Sequence, residues 1–319
     1  MDVNPVVVAV DGGGTKTDAA ALTLAGAVVA RRRGPGSSPH YDGLGAAVAQ
    51  VDRLVQEVAG DAEVRHAGLY LSGLDLPREI DEFRTAIAGR PWARRSLAVD
   101  NDLFALLRAG TDRPDAIAVV CGTGTNAIGV RADGRTARFH SLGSISGDWG
   151  GGHGLGQEAL WHAAREADGR GPSTLLTSAV TAEFGMPVPL VTERLHSGEL
   201  GYNQLSRLAP AVFAAADDGD PVAVAMVDRQ ADEIVAYVRA CLRRLGLTGV
   251  VPVVLGGGIL QAGHPRLLTR IAEGVQELNP RSYLVQLAQP PLLGAALLAL
   301  ADAGASSSAL AAAASALGD

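Results

Sequence analysis

Residues Asp11-Gly12-Gly13-Gly14-Thr15-Lys16-Thr17 stand directly after a short β-branched apolar run at 6–10 and before a second strand-like stretch instead of a helix. That placement is restrictive. A Walker loop and a dinucleotide fingerprint both require the glycine run to open a helix, so neither template applies. What remains is a hairpin turn whose amides can face phosphate oxygens, because residues without side chains permit close approach and unusual dihedrals. Asp11 and Thr15 of such a turn are suited to a hydrated Mg²⁺ and a phosphate. Taken alone, a plain glycine-rich hairpin explains the segment equally well.

The motif does not stand alone. Gly122-Thr123-Gly124-Thr125-Asn126 follows the apolar run 116–121 in the same way, and Gly256-Gly257-Gly258 ends a third run at 250–255. Three glycine-rich strand ends in one chain point to a cleft in which backbone surrounds a polyanionic ligand from several sides.

Around these turns the pattern is α/β. Stretches 19–24 and 27–31 flank a turn at Gly26, apolar residues recur with helical spacing over 43–59, and a strand is expected at 69–72. From residue 116 the arrangement begins again with a hairpin closed by Asp133-Gly134, which suggests a duplication with a boundary near 111–115. Asp220-Pro221 opens the clearest helix and Gly246 stops it, with Cys241 on its apolar stripe. Another helix is expected through Leu267, Leu268, Ile271 and Val275, and the Ala/Ser-rich tail after residue 303 is expected to fray.

Composition supports two domains: 319 residues with 47% hydrophobic content exceed what one compact lobe usually holds. Aromatic residues make up only 4% while glycine numbers 40, so elements must pack through small side chains at close range. A net charge of -7 offers no extended positive field, which argues against nucleic acid, and Arg31-Arg32-Arg33 reads as a solvated hairpin end. Cys121 and Cys241 match no zinc, redox or disulfide spacing. Residues 1–10 lack a signal-peptide pattern and the apolar run 292–301 is too short to span a bilayer. No membrane association is expected, and the compartment expected is the cytoplasm.

The segments 11–17, 121–126 and 255–258, in this order, resemble the phosphate-1, phosphate-2 and adenosine motifs of the actin, sugar-kinase and Hsp70 superfamily. More narrowly the chain resembles the BadF/BadG/BcrA/BcrD ATPase and N-acetylglucosamine kinase family from about residue 6 to 303. The resemblance implies an actin-like α/β fold of two ribonuclease H-like lobes, each with a mixed five-stranded sheet, and a nucleotide in the cleft between them. The lobes would span 1–114 and 115–291, with helix 292–303 joining the first and 304–319 left as a tail. It also implies ATP and Mg²⁺ as cofactors, with Gly13, Gly14, Thr15, Lys16, Gly122 and Thr123 at the phosphates, Gly257 and Gly258 at adenosine, and Asp11 at the metal through water.

Asp102 lies where a strand at 97–99 leads into a helix at 103–109. From the residues alone Asn101 or Asp102 would serve as helix cap. In the kinases that the chain resembles, the matching position carries the catalytic aspartate, which accepts a sugar hydroxyl proton during phosphoryl transfer. Asp100 is a neighbouring acid, but the spacing to Gly122 favours Asp102.

By the same resemblance Asp148, in Gly147-Asp148, would bind sugar hydroxyls, and Ser72, Gly73 and Asn126 would contact the sugar. An Asx-turn, a capping Ser and a turn Asn are the plain alternatives. His153 reads as a loop residue, since no other His stands at ligand spacing.

Two departures bear on the substrate. The Gly-Trp-Gly stretch of animal-type relatives is replaced by Ser141-Leu142-Gly143-Ser144-Ile145, with Trp149 after Asp148 instead, and Pro39-His40-Tyr41 stands where those kinases have an Asn. The expected activity is phosphorylation of N-acetylglucosamine on its 6-hydroxyl, with a small-molecule sugar as partner and a homodimer left open. Glucose, glucosamine or another hexose is the alternative, as is a non-sugar ATPase such as an activator of a 2-hydroxyacyl-CoA dehydratase. That activator needs cysteines placed to share an iron-sulfur cluster, which Cys121 and Cys241 do not offer.

Overall fold

The computed structural model describes residues 5–318; the start of the stretch read for a leader, residues 1–4, lies outside them. In chain order the first elements are β1 (Val6–Gly12), β2 (Lys16–Thr23), β3 (Val28–Pro35), α1 (Pro39–Asp42), α2 (Leu44–Ala59), β4 (Val64–Leu71), α3 (Pro77–Ile87), β5 (Leu97–Asn101) and α4 (Asp102–Gly110). A second series follows with β6 (Ala116–Cys121), β7 (Thr125–Val130), β8 (Thr136–Arg138), α5 (Gly151–Ala167), α6 (Leu176–Phe184), α7 (Val188–Ser197), α8 (Ala209–Asp217) and α9 (Pro221–Leu245). It closes with β9 (Pro252–Gly256), α10 (Gly258–Gln261), α11 (Pro265–Leu278), β10 (Tyr283–Gln286), α12 (Pro291–Asp302) and α13 (Ser307–Leu317).

The strands form two five-stranded sheets of order β3-β2-β1-β4-β5 and β8-β7-β6-β9-β10. Position for position the two orders are the same, which is the duplication that the repeated hairpin pattern anticipates. In the first sheet β1 runs antiparallel to β2 and parallel to β4, and β4 is parallel to β5. The chain divides into two compact units: one through Ala118 with Val130–His140 and the residues from Val285 on, the other with Val119–Gly129 and Ser141–Leu284.

In the first unit the sheet is covered on both faces, which is why β1 is a continuous apolar run. Val6, Val8 and Val10 join Val51, Leu54 and Val55 of α2 in one core. Val7 and Ala9, pointing the other way, meet Leu292, Ala296 and Leu300 of α12 with Ala105 of α4. Gly294 is needed there, because a side chain on it would run into the carbonyl of Ala105. Helix backbones thus approach closely, as the small-residue composition requires.

Two expectations are corrected. The tail from residue 304 does not fray: alanine carries the lowest helix cost, the Ser306 hydroxyl accepts the Ala309 amide at 3.3 Å, and Ala313 and Leu317 enter the core beside Val7. Strand β4 begins at Val64, earlier than the apolar pattern indicates, because Arg65 and His66 interrupt that pattern. His66 is nonetheless buried, with Nδ1 2.8 Å from the Ser96 hydroxyl. Helix α9 runs as expected from a cap at Asp220, which accepts the Ala223 amide at 2.9 Å, to Gly246 in the left-handed region. Among the described residues no helix is long and apolar enough to cross a membrane.

Candidate active site

In the first unit the turn between β1 and β2 is closed by the Gly13 amide donating to the Lys16 carbonyl at 2.8 Å. The Ser37 amide donates to the Gly13 carbonyl at 3.1 Å, and the Thr17 hydroxyl reaches the Ser37 hydroxyl at 2.8 Å, so the turn is braced from beneath. Gly14, Thr15 and Lys16 remain exposed at its tip.

Asp11, the residue before the last of β1, lies opposite Asp18 and next to Tyr70 in register. Asp18 is neutralised by Arg33, which donates twice to its carboxylate at 2.7 and 2.9 Å. Among the described residues Asp11 has no such partner: burial, then the negative charges of Asp102 and Asp18, push its carboxyl up to about 8 against the opposing pull of Lys16 and Arg33. Asp102 is the first residue of α4, and burial pushes it up to about 7 despite amide hydrogen bonds from its own N–H and that of Leu103. Two interacting carboxyls without a fixed cation, built of hard oxygens only, suit a Mg²⁺ ion, so the residues fit the group.

The cap question is answered by Asn101, whose Oδ1 accepts the Leu103 amide at 3.0 Å. Asp102 is therefore not needed as a cap. Asp100 is occupied elsewhere: Arg138 donates to it at 2.6 and 2.9 Å while lying 4.6 Å over the ring of Phe104. The Ser72 amide donates to the Gly12 carbonyl at 2.7 Å, tying the end of β4 to that of β1. Its hydroxyl is buried without a partner, as is that of Ser38, and Gly73 lies between Ser38 and His40. Hydroxyls in that condition cost stability unless a ligand satisfies them.

Stability tests the burial of Asp102. Its proton is held more tightly in the folded chain than at the ordinary value of 3.8, so ionisation costs stability increasingly as pH rises from about 4 towards about 7. Asp102→Asn should therefore raise Tm in cation-free buffer by a few degrees at pH 8, on the order of 1 kcal/mol or more, with a smaller gain at pH 5. Thermal unfolding at the two pH values checks this, and an equal or lower Tm at pH 8 would refute it.

In the second unit the β6–β7 turn is closed by the Gly122 amide donating to the Gly124 carbonyl at 2.9 Å. The turn sits on the start of α5, whose Gly152 and His153 amides donate to the Gly122 and Thr123 carbonyls at 2.7 and 2.9 Å. The Gly151 amide donates to Gln230 at 2.8 Å. Those helix amides are consumed, so any phosphate contact must come from the turn itself. Gly257, with φ +88°, lies against the backbone of Cys121: a Cβ there would stand 2.8 Å from the Cys121 nitrogen, whereas one on Gly258 would meet nothing within 4 Å. The two glycine-rich strand ends of this unit are thus neighbours.

Asp148 is bound by protein hydroxyls at both oxygens, from Tyr237 at 2.6 Å and Ser146 at 2.5 Å. Each oxygen retains a second lone pair for another donor. Trp149 beside it is covered by the Arg229 guanidinium at 4.1 Å. Asn126 is buried and accepts the Ala127 amide at 2.7 Å. His153 faces Gln157 at 3.0 Å. Burial pushes the Cys121 and Cys241 thiols up to about 11 and about 12, leaving both protonated and unreactive.

The structure therefore brings Asp11, Asp102, Ser72 and the 13–16 turn together in one unit, and Gly122, Thr123, Gly257 and Gly258 in the other. Asp75, Arg138, Gln230 and Tyr237, which support these groups, were missed by sequence reasoning; only Tyr237, a polar-tipped residue on the buried stripe of α9, leaves a trace there. A cavity of about 420 Å³ lined by Gln56, Glu63, Trp92, Arg94 and Arg95 holds none of these residues.

Comparison with known proteins gives a consistent picture. The model of the BadF/BadG/BcrA/BcrD ATPase family matches residues 8–299. An N-acetyl-D-glucosamine kinase of Dictyostelium discoideum is 26% identical over 316 residues, covering 92% of this chain and 98% of that protein. An N-acetylmuramic acid/N-acetylglucosamine kinase of Clostridium acetobutylicum is 25% identical over 210 residues, 65% of this chain and 68% of that one. Among solved structures, a proposed N-acetylglucosamine kinase from Chromobacterium violaceum superposes with a TM-score of 0.73 at 27% identity, over 93% of this chain and 99% of that one. A ROK family glucokinase from Streptomyces griseus, at 15% identity and TM-score 0.55 over 91% and 97% of the two chains, shares the fold.

Proposed function

We propose that this chain, which belongs to the BadF/BadG/BcrA/BcrD ATPase family, is a cytoplasmic ATP-dependent sugar kinase whose preferred substrate is N-acetylglucosamine. The observation that carries the reading is Asp102: a carboxyl at the start of α4, relieved of capping by Asn101 and coupled electrostatically to Asp11 at the end of β1. The named relatives supply the substrate class.

In the proposed reaction, Asp102 accepts the proton of the sugar 6-hydroxyl as its oxygen bonds to the γ-phosphorus, and the bond from that phosphorus to the β,γ-bridging oxygen breaks to release ADP. Holding the hydroxyl in line matters more than basicity, since the transition state is loose. Backbone at Gly13, Gly14, Thr15, Gly122 and Thr123 would meet the phosphates, with Lys16 beside them, and Gly257 and Gly258 would face adenosine. Asp11, with Thr15, would hold Mg²⁺ through water; the ion supplies charge neutralisation on the phosphoryl oxygens. Ser72, Gly73, Asn126 and Asp148 would hold the sugar, with Tyr237 and Ser146 fixing the Asp148 carboxylate in direction.

The test compares kcat/KM for N-acetylglucosamine, glucose, glucosamine and N-acetylmannosamine under one condition. N-acetylglucosamine should lead; a preference of about tenfold or more for another sugar, equivalent to about 1.4 kcal/mol, would overturn the substrate and leave the kinase assignment standing. Absence of phosphorylation across the panel, with ATP hydrolysis retained, would favour a non-sugar ATPase.

A further inference from the structure

The side chain of Asn101 is used at both ends. While Oδ1 caps α4 through the Leu103 amide, Nδ2 donates to Asp75 Oδ1 at 2.9 Å. Both residues are buried, at 4% and 8% exposure. The backbone at Asp75 is itself pinned, since its amide and that of Leu76 both donate to Glu79 Oε2 at 2.9 Å. Glu79 Oε1 in turn lies 2.8 Å from His40 Nε2, and His40 Nδ1 lies 3.9 Å from Asp75 Oδ2. From the other flank, Asp100 accepts the Asn101 amide at 2.7 Å while gripped by Arg138.

Capping alone does not require such support, because exposed Ser, Thr or Asp caps perform as well. What Asp75 adds is direction. Its Oδ1 accepts the Asn101 Nδ2 donor, so it selects the NH₂ end of the Asn101 amide and keeps the amide Oδ1 facing Leu103. Without it the amide is free to turn its donor end toward another donor, and the first turn of α4 loses its anchor. Asp102 is the first residue of that turn.

We infer that Asp75 and Asn101 are a positioning pair for phosphoryl transfer: the carboxylate fixes the orientation of the Asn101 amide, and thereby the direction in which Asp102 presents its carboxyl. The inference rests on the reading of Asp102 as the base.

The experiment assays the full chain with MgATP and N-acetylglucosamine, with Asp102→Asn in parallel. Asp75→Ala should lower kcat about tenfold or more, since small misplacements of a reacting group are costly, with both KM values within about threefold. Asp75→Asn, whose amide oxygen still accepts from Asn101, should keep at least about a third of the parental kcat. Asn101→Ser keeps a cap but loses the longer amide NH₂ that reaches Asp75, so it should repeat the Asp75→Ala loss, and the double variant should be no worse than either single one. The pair is refuted if Asp75→Ala and Asn101→Ser both keep more than about half of kcat, or if Asp75→Asn is as damaged as Asp75→Ala. It is refuted equally if the loss appears only in the sugar KM, which marks a direct substrate contact. Should Asp75→Ala not fold, Asn101→Ser alone decides by the same criteria. Loss in Asp102→Asn with none in these variants overturns the pair alone; activity retained in Asp102→Asn overturns the base reading and this one with it.

Discussion

Asp102→Asn should lower kcat for sugar phosphorylation by two orders of magnitude or more while leaving ATP affinity within a few-fold of the parent, since general bases contribute about 10²–10⁴-fold. The substitution keeps the shape and removes the proton acceptor. Because Asn101 caps α4, the change does not disturb the start of the helix, and the folded state should gain stability above neutral pH. Loss of activity together with a gain in Tm is a combination that a structural role for Asp102 does not produce. Calorimetry with ATP and steady-state assays on the same preparation measure both sides. A variant retaining more than about a third of the parental turnover would remove Asp102 from the chemistry.

The second large effect separates two adjacent glycines. Gly257→Val forces a β-branched residue to φ +88° and drives its Cβ against the Cys121 backbone, so the variant should lose stability by roughly 2 kcal/mol or more, with a fall in Tm or in soluble yield. Gly258→Val meets open space and should fold normally. If adenosine binds there, Gly258→Val should weaken ATP about tenfold, or about 1.4 kcal/mol, with the sugar KM within about twofold. Unchanged ATP affinity in a folded Gly258→Val protein would move the adenosine elsewhere. Gly257→Val alone would mislead, since it damages the strand end whatever binds beside it.

Most of the framework was legible because it follows from local pattern. The apolar run that became β6 and the Asp220–Gly246 limits of α9 are written in periodicity and end signals, and they appear where those signals lie. The glycine-rich turns are legible for the same reason. The tail helix was not, because an Ala/Ser-rich stretch resembles a linker until Leu317 is seen to enter the core. The supports of the candidate site were hidden by distance along the chain: Tyr237 reaches Asp148, Arg138 reaches Asp100 and Asp75 reaches Asn101 only after folding. Sequence could nominate Asn101 and Asp102 as alternative caps, but only the hydrogen bond to Leu103 separates their roles.

The shared strand order of the two sheets has an evolutionary consequence. Between the third and fourth chain-order strands, the first copy carries only residues 36–63, whereas the second carries residues 139–251, including Asp148 and helices α5 to α9. All of that extra chain enters at a single joint, after β8 and before β9. The hairpins and strand ends that bear the glycine turns are left uninterrupted. A lineage built this way can rewrite the inserted segment without reopening the sheet. Exchanging residues 139–251 between relatives would accordingly replace Asp148 together with its Tyr237 and Ser146 supports, while Ser72, Gly73, Asn126 and the three glycine-rich turns stay in place.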